Sequence, residues 1–322
     1  MKKYVLCLVA LLAALFCSTS LYAKSSKNKA RTAKNAKELY MNLLVKQLDA
    51  QISPEGLLTV KYSNGSTLYY TILDNFGNVA LTWDHSDGKT SYNQGVSAYK
   101  GAIEIPSFIT IESKGDQEED IVMSFNVFEI AENAFNGCSE LTSVSIPYSV
   151  RNIRQNAFSD CDKLESINVN DNNNIYMSQD GILFSKSQNI LILYPAQKQN
   201  TAYTVPEATT IICPNAFQNN SALHSIVITD NVTAISDYSF QNCSNLESIS
   251  LGKSLRIIGK GAFRGCNSIS EIRSANIFAP HNCPIVFERS IKATCKVVVP
   301  TGQTSNYKRR LEWLEFQNYV EE

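Results

Sequence analysis

Thiols can bridge, bind metal or attack a carbonyl carbon, so the cysteines are the first residues to weigh. The chain has nine among 322 residues. Cys138, Cys161, Cys243 and Cys266 share one fixed spacing, each three residues after a phenylalanine. No C-x-x-C or H-x-x-x-H partner accompanies them, or His281 and Cys283, as a zinc site requires. The three histidines, His85, His224 and His281, are scattered. Nucleophilic catalysis needs a nucleophile, a base and an orienting group within reach. His224 beside Ser225 therefore reads as an exposed strand position. Asp171 and Asp180, with Asn170 and Asn172 to Asn174, do not fit a calcium loop and read as an Asn-rich turn. Asp116, Glu118, Glu119 and Asp120 read as a solvated loop. No phosphate-binding glycine loop or dinucleotide fingerprint is present. The expectation is a non-enzyme with no metal and no cofactor. A net charge of -1 argues against nucleic acid as a partner.

The spacing of those cysteines belongs to a longer repeat. Phe135, Phe158, Phe217, Phe240 and Phe263 each follow a small residue and stand 23, 59, 23 and 23 residues apart. Five residues before them are Ile130, Ile153, Ile212, Ile235 and Ile258. Three after stand the four cysteines and Asn220. Six after are Leu141, Leu164, Leu223, Leu246 and Ile269. Nine after are Val144, Ile167, Ile226, Ile249 and Ile272, and eleven after Ile146, Val169, Ile228 and Leu251, with Ser274 the exception. This is the L-x-x-L-x-L pattern of a leucine-rich repeat, with Cys or Asn at a turn. One unit cannot bury its own apolar ridge, whereas stacked units bury a continuous one. The spacing of two between the last apolar positions predicts a short strand. The fold expected is a leucine-rich-repeat solenoid, mostly β with short helical turns: a parallel strand ladder between N- and C-terminal caps.

The turn column accepts Cys or Asn, so a small buried polar group that satisfies turn backbone explains both. Parallel side chains pointing into the core predict buried thiols there, not bridges. Cys283 and Cys295 flank a short loop, and both the bridged and the reduced state stay open. The step of 59 resolves into a 36-residue unit and a 23-residue one, because Val205-Pro206 matches Ile146-Pro147. The long variant repeat, about residues 170–206, carries two strand-like runs. These are Asp180 to Phe184 and Ile190 to Pro195, joined by the polar turn Lys186 to Asn189.

These residues resemble the BspA-type leucine-rich-repeat family of bacterial secreted and surface proteins. The carriers are the A-F-x-x-C-x-x-L-x-S-I core, the variant Asp180-Gly181-Ile182-Leu183-Phe184…Tyr194-Pro195-Ala196, and Val299-Pro300…Tyr307…Trp313…Phe316. Leu68 to Ile72 and Gly101 to Pro106 look like the family's opening segment. The likeness runs from about Leu68 to the C-terminus and implies an adhesin or ligand-binding protein.

The ends complete the plan. Lys2 and Lys3, the apolar run Tyr4 to Phe16, and Ser18 to Ala23 read as an export signal at 1–23. Cleavage falls after Ala23 or after Ser20, and Phe16 before Cys17 speaks against lipid attachment. The run is shorter than the ~18–20 residues that span a bilayer, so the mature chain is expected to be soluble, with no transmembrane segment. Residues 24–37 form a basic linker. Residues 38–126 are read as an N-terminal helix (Glu38 to Ala50) and a β cap with strands at Leu68–Ile72, Val79–Trp83, Ala102–Ile105 and Ile121–Phe125. The helix, with the basic linker, offers a dimerisation or weak membrane-surface contact. Repeats fill 127–274 and a C-terminal cap 275–322, with Lys296 to Val299 as the last strand. A helix is expected from Ser305 to Phe316, laying Tyr307, Leu311, Leu314 and Phe316 over the final repeat. Alternation then points Ser143, Ser145, Ser166, Asn168, Ser225, Val227, Ser248, Ser250, Glu271 and Arg273 to solvent. This is the candidate ligand face for an extracellular protein or glycan, in a chain placed outside the cell, on its surface or in the periplasm. The rival readings are an assembly partner acting through the N-terminal helix and an enzyme on a repeat scaffold.

Overall fold

The computed structural model describes residues 47–52, 57–74, 77–83, 99–114, 120–282 and 285–322. The export signal, the basic linker and Cys283 lie outside the described residues. So do residues 38–46 and most of the acidic cluster. The chain forms two compact units. One comprises residues up to Tyr99 with Ile103–Phe135 and Ser149–Ala157; the other comprises Lys100–Ala102, Asn136–Tyr148 and Phe158–Glu322.

In the first unit, β1 (Gln47–Ile52), β2 (Leu57–Tyr62), β3 (Thr67–Ile72) and β4 (Asn78–Thr82) form an antiparallel meander. β5 (Gly101–Glu104), whose first two residues are counted with the second unit, comes next in sequence, then β6 (Phe108–Lys114) and the long β7 (Asp120–Ile130), which pair with each other. β7 also lies parallel to β4 and extends the sheet. Alternate residues go inward: Leu58 and Val60, Leu68 and Tyr70, Val79 and Leu81, and Phe125 and Val127 are buried. Period-two alternation produces this face. The helix expected over Glu38 to Ala50 is corrected at its end: Gln47–Ile52 is a strand, in register with Leu58–Tyr62. Its leucine spacing is helical, but pairing with a neighbouring strand outweighs local preference.

The second unit is the repeat solenoid. β8 (Leu141–Ile146) pairs in parallel with β10 (Ser166–Val169). Between them in sequence, β9 (Asn152–Ile153) returns to the first unit and pairs with β7. The long repeat then inserts β11 (Tyr176–Gln179), β12 (Ile182–Ser185) and β13 (Ile190–Leu193), an antiparallel three-strand excursion. From there two parallel ladders run side by side. One joins β14 (Ala202–Thr204), β16 (Ser225–Ile228), β18 (Ser248–Leu251), β20 (Glu271–Ser274), β22 (Lys296–Val299) and β23 (Asn318–Glu321). The other runs from β13 through β15 (Ile211–Ile212), β17 (Ala234–Ile235), β19 (Ile257–Ile258) and β21 (His281–Asn282). Each repeat of the regular run thus contributes one strand to each ladder.

The core between the ladders is built of columns. Phe217, Phe240, Phe263 and Phe287 stack face to face, with centroids 4.5, 4.9 and 5.4 Å apart. The turns around them need left-handed backbone twice per repeat. Two residues before the phenylalanine it falls on Asn133, Asn156, Asn215, Tyr238 and Gly261. Two residues after it falls on Gly137, Asp160, Asn219, Asn242 and Gly265. Asn, Asp and Gly are the residues that adopt this conformation cheaply. Directly after the second turn point comes the cysteine column. The thiols of Cys243 and Cys266 donate to the carbonyls of Phe217 and Phe240 at 3.1 and 3.0 Å. Asn220 does the same work with an amide, donating to the carbonyls of Pro195, Ala196 and Lys198.

The C-terminal cap departs from expectation in three ways. In place of the helix expected from Ser305 to Phe316 there is one turn, α1 (Thr304–Tyr307), and a 3-10 turn at Trp313–Glu315. Between them the chain reverses at Glu312, whose φ is +66°, and that reversal carries Trp313 into the core. Leu311 and Leu314 are therefore exposed, while Tyr307, Trp313 and Phe316 cover the last rung. The last strand is β23, not β22: parallel pairing of Lys296–Val299 with Asn318–Glu321 adds a further rung to the ladder.

Candidate functional site

The outward row rests on strict register. Ser166 and Asn168 stand opposite Ser143 and Ser145. Across the later rungs, Ser225, Ser248 and Glu271 form one line, and Val227, Ser250 and Arg273 a second. Between them Ile226, Ile249 and Ile272 point inward and are buried. Neighbouring rungs ~4.8 Å apart leave the serines half-buried and Asn168, Val227 and Arg273 exposed. Sequence reading missed Ala202 and Thr204, which begin the two lines on β14. Tyr194 takes the phenylalanine's place in that rung, so the same offsets of eight and ten counted from Tyr194 find both.

The row is divided in two. β10 belongs to one sheet and β14 to another, because the long repeat occupies the rung between them. The Ile167 N–H on β10 donates to the carbonyl of Gly181 at the hairpin tip, and Val169 N–H to Ser178 Oγ. Gly181 has φ +74°, and a Cβ there would lie 2.8 Å from Ser166 Cβ, so only glycine fits. The Asn-rich stretch before the hairpin is a turn, as expected. Asn173 is fully buried, donates to the Pro147 carbonyl and accepts the N–H groups of Ile175 and Tyr176.

At its C-terminal end the row becomes an ion network. Arg273 meets Glu271 at 3.3 Å and Glu322 more closely, and Lys296 meets Glu271 at 3.4 Å. The Glu322 pairing holds the Arg273 guanidinium pKa above its usual value and the Glu322 carboxyl below its own. Val298, in register between Arg273 and Val320, is 2% exposed although its position points outward. The Arg273–Glu322 pair spans that rung. These charges satisfy one another, so the open hydrogen-bonding groups of the face lie among the serine rungs.

A small cavity lies where the long repeat meets the regular array, bounded by Phe158, Cys161, Leu164, Tyr194, Asn215 and Gln218. Tyr194 Oη and Gln218 Oε1 are buried and meet no protein partner. Burial lifts the Tyr194 hydroxyl to about 12. Asp160 accepts from Gln218 Nε2 at 3.0 Å, and its carboxyl pKa is raised by burial and by Asp162. His224 is not placed with a nucleophile and base; its Nδ1 lies 2.8 Å from its neighbour Ala222's carbonyl. His281 meets Arg310 at 3.2 Å. Among the described residues no three His, Cys, Asp or Glu side chains converge as metal ligands would. Among the same residues, no helix is long and apolar enough to cross a membrane.

Comparison with known proteins bears on the fold. The family described as BspA type leucine rich repeat region (6 copies) matches residues 114–192 and 193–283. No curated protein matches the chain. Among solved structures, the chain is similar to a leucine-rich repeat protein from Eubacterium ventriosum. Identity is 24% and the TM-score 0.51, over 62% of this chain and 48% of that one; the chain spans about half the length of that relative. It is also similar to the pneumococcal vaccine antigen PcpA, at 16% identity and TM-score 0.41 over 85% and 98% of the two chains. A leucine rich cell surface protein from Faecalibacterium prausnitzii follows at 15% and 0.41 over 86% and 95%. At these identities the likeness concerns the fold alone.

Proposed function

The chain belongs to the BspA-type leucine-rich-repeat family, and on that premise we propose that it is an exported binding protein. Its ligand is an extracellular protein or glycan, held on the outward row of the strand ladder. The observation that carries the reading is the register: Ser225 and Ser248 face outward on adjacent rungs, with Thr204 and Ser250 on the second line to either side of Val227. A repeating row of hydroxyls suits an extended ligand with regularly spaced donors and acceptors, such as a polysaccharide or an unfolded peptide strand. The residues fixed in the turns and core are consumed by the fold, which leaves the outward row as the polar surface of the ladder.

Lys2, Lys3 and the apolar run after them support export, to the periplasm, the cell surface or beyond. The test is a glycan array and a panel of extracellular matrix proteins, probed with the parent chain and with variants of the row. A bound probe lost on changing Ser225 and Ser248 supports the face; binding indifferent to them removes it. A role as an assembly partner acting through a helix at Glu38 to Ala50 loses part of its basis, because residues 47–50 are strand.

A further inference from the structure

The C-terminal end of the solenoid exposes charge and apolar surface that the ligand face does not use. From Lys253 to Phe316 the chain carries eleven lysines and arginines against four carboxylates, Glu271, Glu288, Glu312 and Glu315. The acids here are consumed internally. Glu271 holds Arg273 and Lys296, Glu288 accepts the Gly265 N–H, and Glu312 and Glu315 hold Lys292. Arg256 and Arg309 are exposed with no carboxylate partner among the described residues, and Arg310 meets only His281.

The most exposed large apolar side chains of the described protein lie in the same stretch: Leu311 at 78%, Phe278 at 63% and Ile285 at 61%. Hydrogen bonds bring these segments together. The Asn276 amide donates to the Leu255 carbonyl and the His281 N–H to the Arg256 carbonyl, each at 2.7 Å. The Ile285 N–H donates to Glu312 Oε1, and Trp313 Nε1 to the Pro280 carbonyl. Tyr307 and Trp313 of these segments are buried, whereas Phe278, Ile285 and Leu311 are exposed.

We propose that this end of the solenoid docks on an anionic lipid surface. Phe278 and Leu311 enter the boundary between headgroups and acyl chains, and Arg256, Arg309 and Arg310 meet lipid phosphates. Exposed apolar groups and exposed cations on segments tied together by hydrogen bonds suit a bilayer interface, which offers both chemistries in one plane. An acidic protein partner or a second copy of the chain meets the cations but calls for a concavity to receive Phe278 and Leu311.

The experiment is co-sedimentation of the full chain with vesicles of phosphatidylcholine, with and without phosphatidylglycerol. Amide exchange is followed at residues 275–282 and 308–314, so that attraction from the N-terminal lysines is told apart from docking here. The expected result is binding that requires phosphatidylglycerol, weakens with salt, and slows exchange in both segments. Arg256→Gln, Arg309→Gln and Arg310→Gln together should weaken it roughly a hundredfold, at about fivefold per cation. Phe278→Ser with Leu311→Ser should abolish the local protection. All five positions are exposed, and unchanged thermal unfolding of each variant shows the fold intact. Unaltered exchange on bound vesicles overturns the proposal. So does affinity unchanged in the triple variant, or a concentration-dependent dimer that the same arginine changes dissolve.

Discussion

Tyr194 stacks on Phe217 with ring centroids 4.7 Å apart and planes 21° from parallel, and the Tyr194 hydroxyl has no protein hydrogen-bond partner. The tyrosine thus begins the phenylalanine column and carries a polar atom where the rungs after it carry none. A buried hydroxyl without a partner costs about 1–3 kcal/mol. Tyr194→Phe should therefore keep or raise stability, by up to about 1 kcal/mol in urea unfolding. A loss above about 1 kcal/mol would show that the hydroxyl is bonded.

The same residue predicts a difference at alkaline pH. Burial raises its folded pKa from 10.0 to about 12, and the unfolded value is ordinary. The neutral form is favoured in the fold, so its contribution is present in full below about pH 10 and is lost as pH rises through about 12. Tyr194→Phe should lose less stability than the parent across that window. Parallel curves for the two proteins contradict the assignment.

Phe240 lies between Phe217 and Phe263, at 4.5 and 4.9 Å, and is fully buried. Phe240→Ala removes the ring and both stacking contacts, for a cost of about 3–5 kcal/mol. Because each rung is stabilised by its neighbours, amide protection should fall in β16 and β20 as well as β18. A cost under about 1 kcal/mol, or protection lost in one rung only, argues against a shared column.

The columns were legible in the sequence because they recur every 23 residues. What escaped was whatever the period does not mark. The second ladder has two-residue strands at Ile211–Ile212, Ala234–Ile235 and Ile257–Ile258, too short to show alternation. The Ile column was visible, its pairing was not. β11 and β23 fall outside the repeat phase and carry few apolar residues, so neither was expected. The cap helix failed at Glu312, where burying Trp313 mattered more than continuing a helical period. The outward row was visible because alternation follows directly from the buried isoleucines. That the long repeat interrupts the array was legible too; how the inserted strands dock beside β10 was not, since that depends on Gly181 meeting Ser166.

Cys243 and Cys266 are fully buried, each donating to a carbonyl. Burial raises the Cys243 thiol well above its ordinary value, so little thiolate exists at neutral pH. Neither should react with a maleimide in the native protein, and both should react after unfolding without reductant. Cys138 and Cys161 are buried thiols in the same column and should also label on unfolding. Intramolecular bridges among these four, found by mass mapping, would contradict the column.

Ile285 holds φ +64° at the position where earlier repeats place Asn133, Asn156, Asn215 and Gly261. A β-branched residue pays about 1–2 kcal/mol for left-handed backbone, and at 61% exposure it gains little from burial. Ile285→Asn should raise stability by about 1 kcal/mol, read as a higher urea midpoint at constant slope. A lower midpoint would place Ile285 in a packing role that its exposure does not suggest.

The ligand face supplies the last test. Ser225 and Ser248 are register partners, and Glu271 is the next rung. Ser225→Glu with Ser248→Glu lines up three carboxylates, which adds repulsion to bulk. The pair Ser225→Lys and Ser248→Lys adds the same bulk with the opposite sign. If a probe from the array lies on this row, both pairs should abolish its binding, and thermal unfolding of each pair checks that the fold is intact. Loss in the glutamate pair alone means that the probe is anionic and reads charge at a distance. The competing surface is the hairpin turn of the long repeat. That turn cannot simply be deleted, because the Asn189 carbonyl accepts the N–H groups of Thr210 and Ile211 in the second ladder. Lys186→Glu with Ser187→Glu keeps the Asn189 carbonyl and alters two exposed residues of the turn, removing the Lys186 bond to the Asp171 carbonyl and the Ser187 bond to Asn189 Oδ1. Binding that survives both serine pairs and fails on the turn variant moves the site to the hairpin. Binding that survives all three leaves the first unit's sheet as the surface to map.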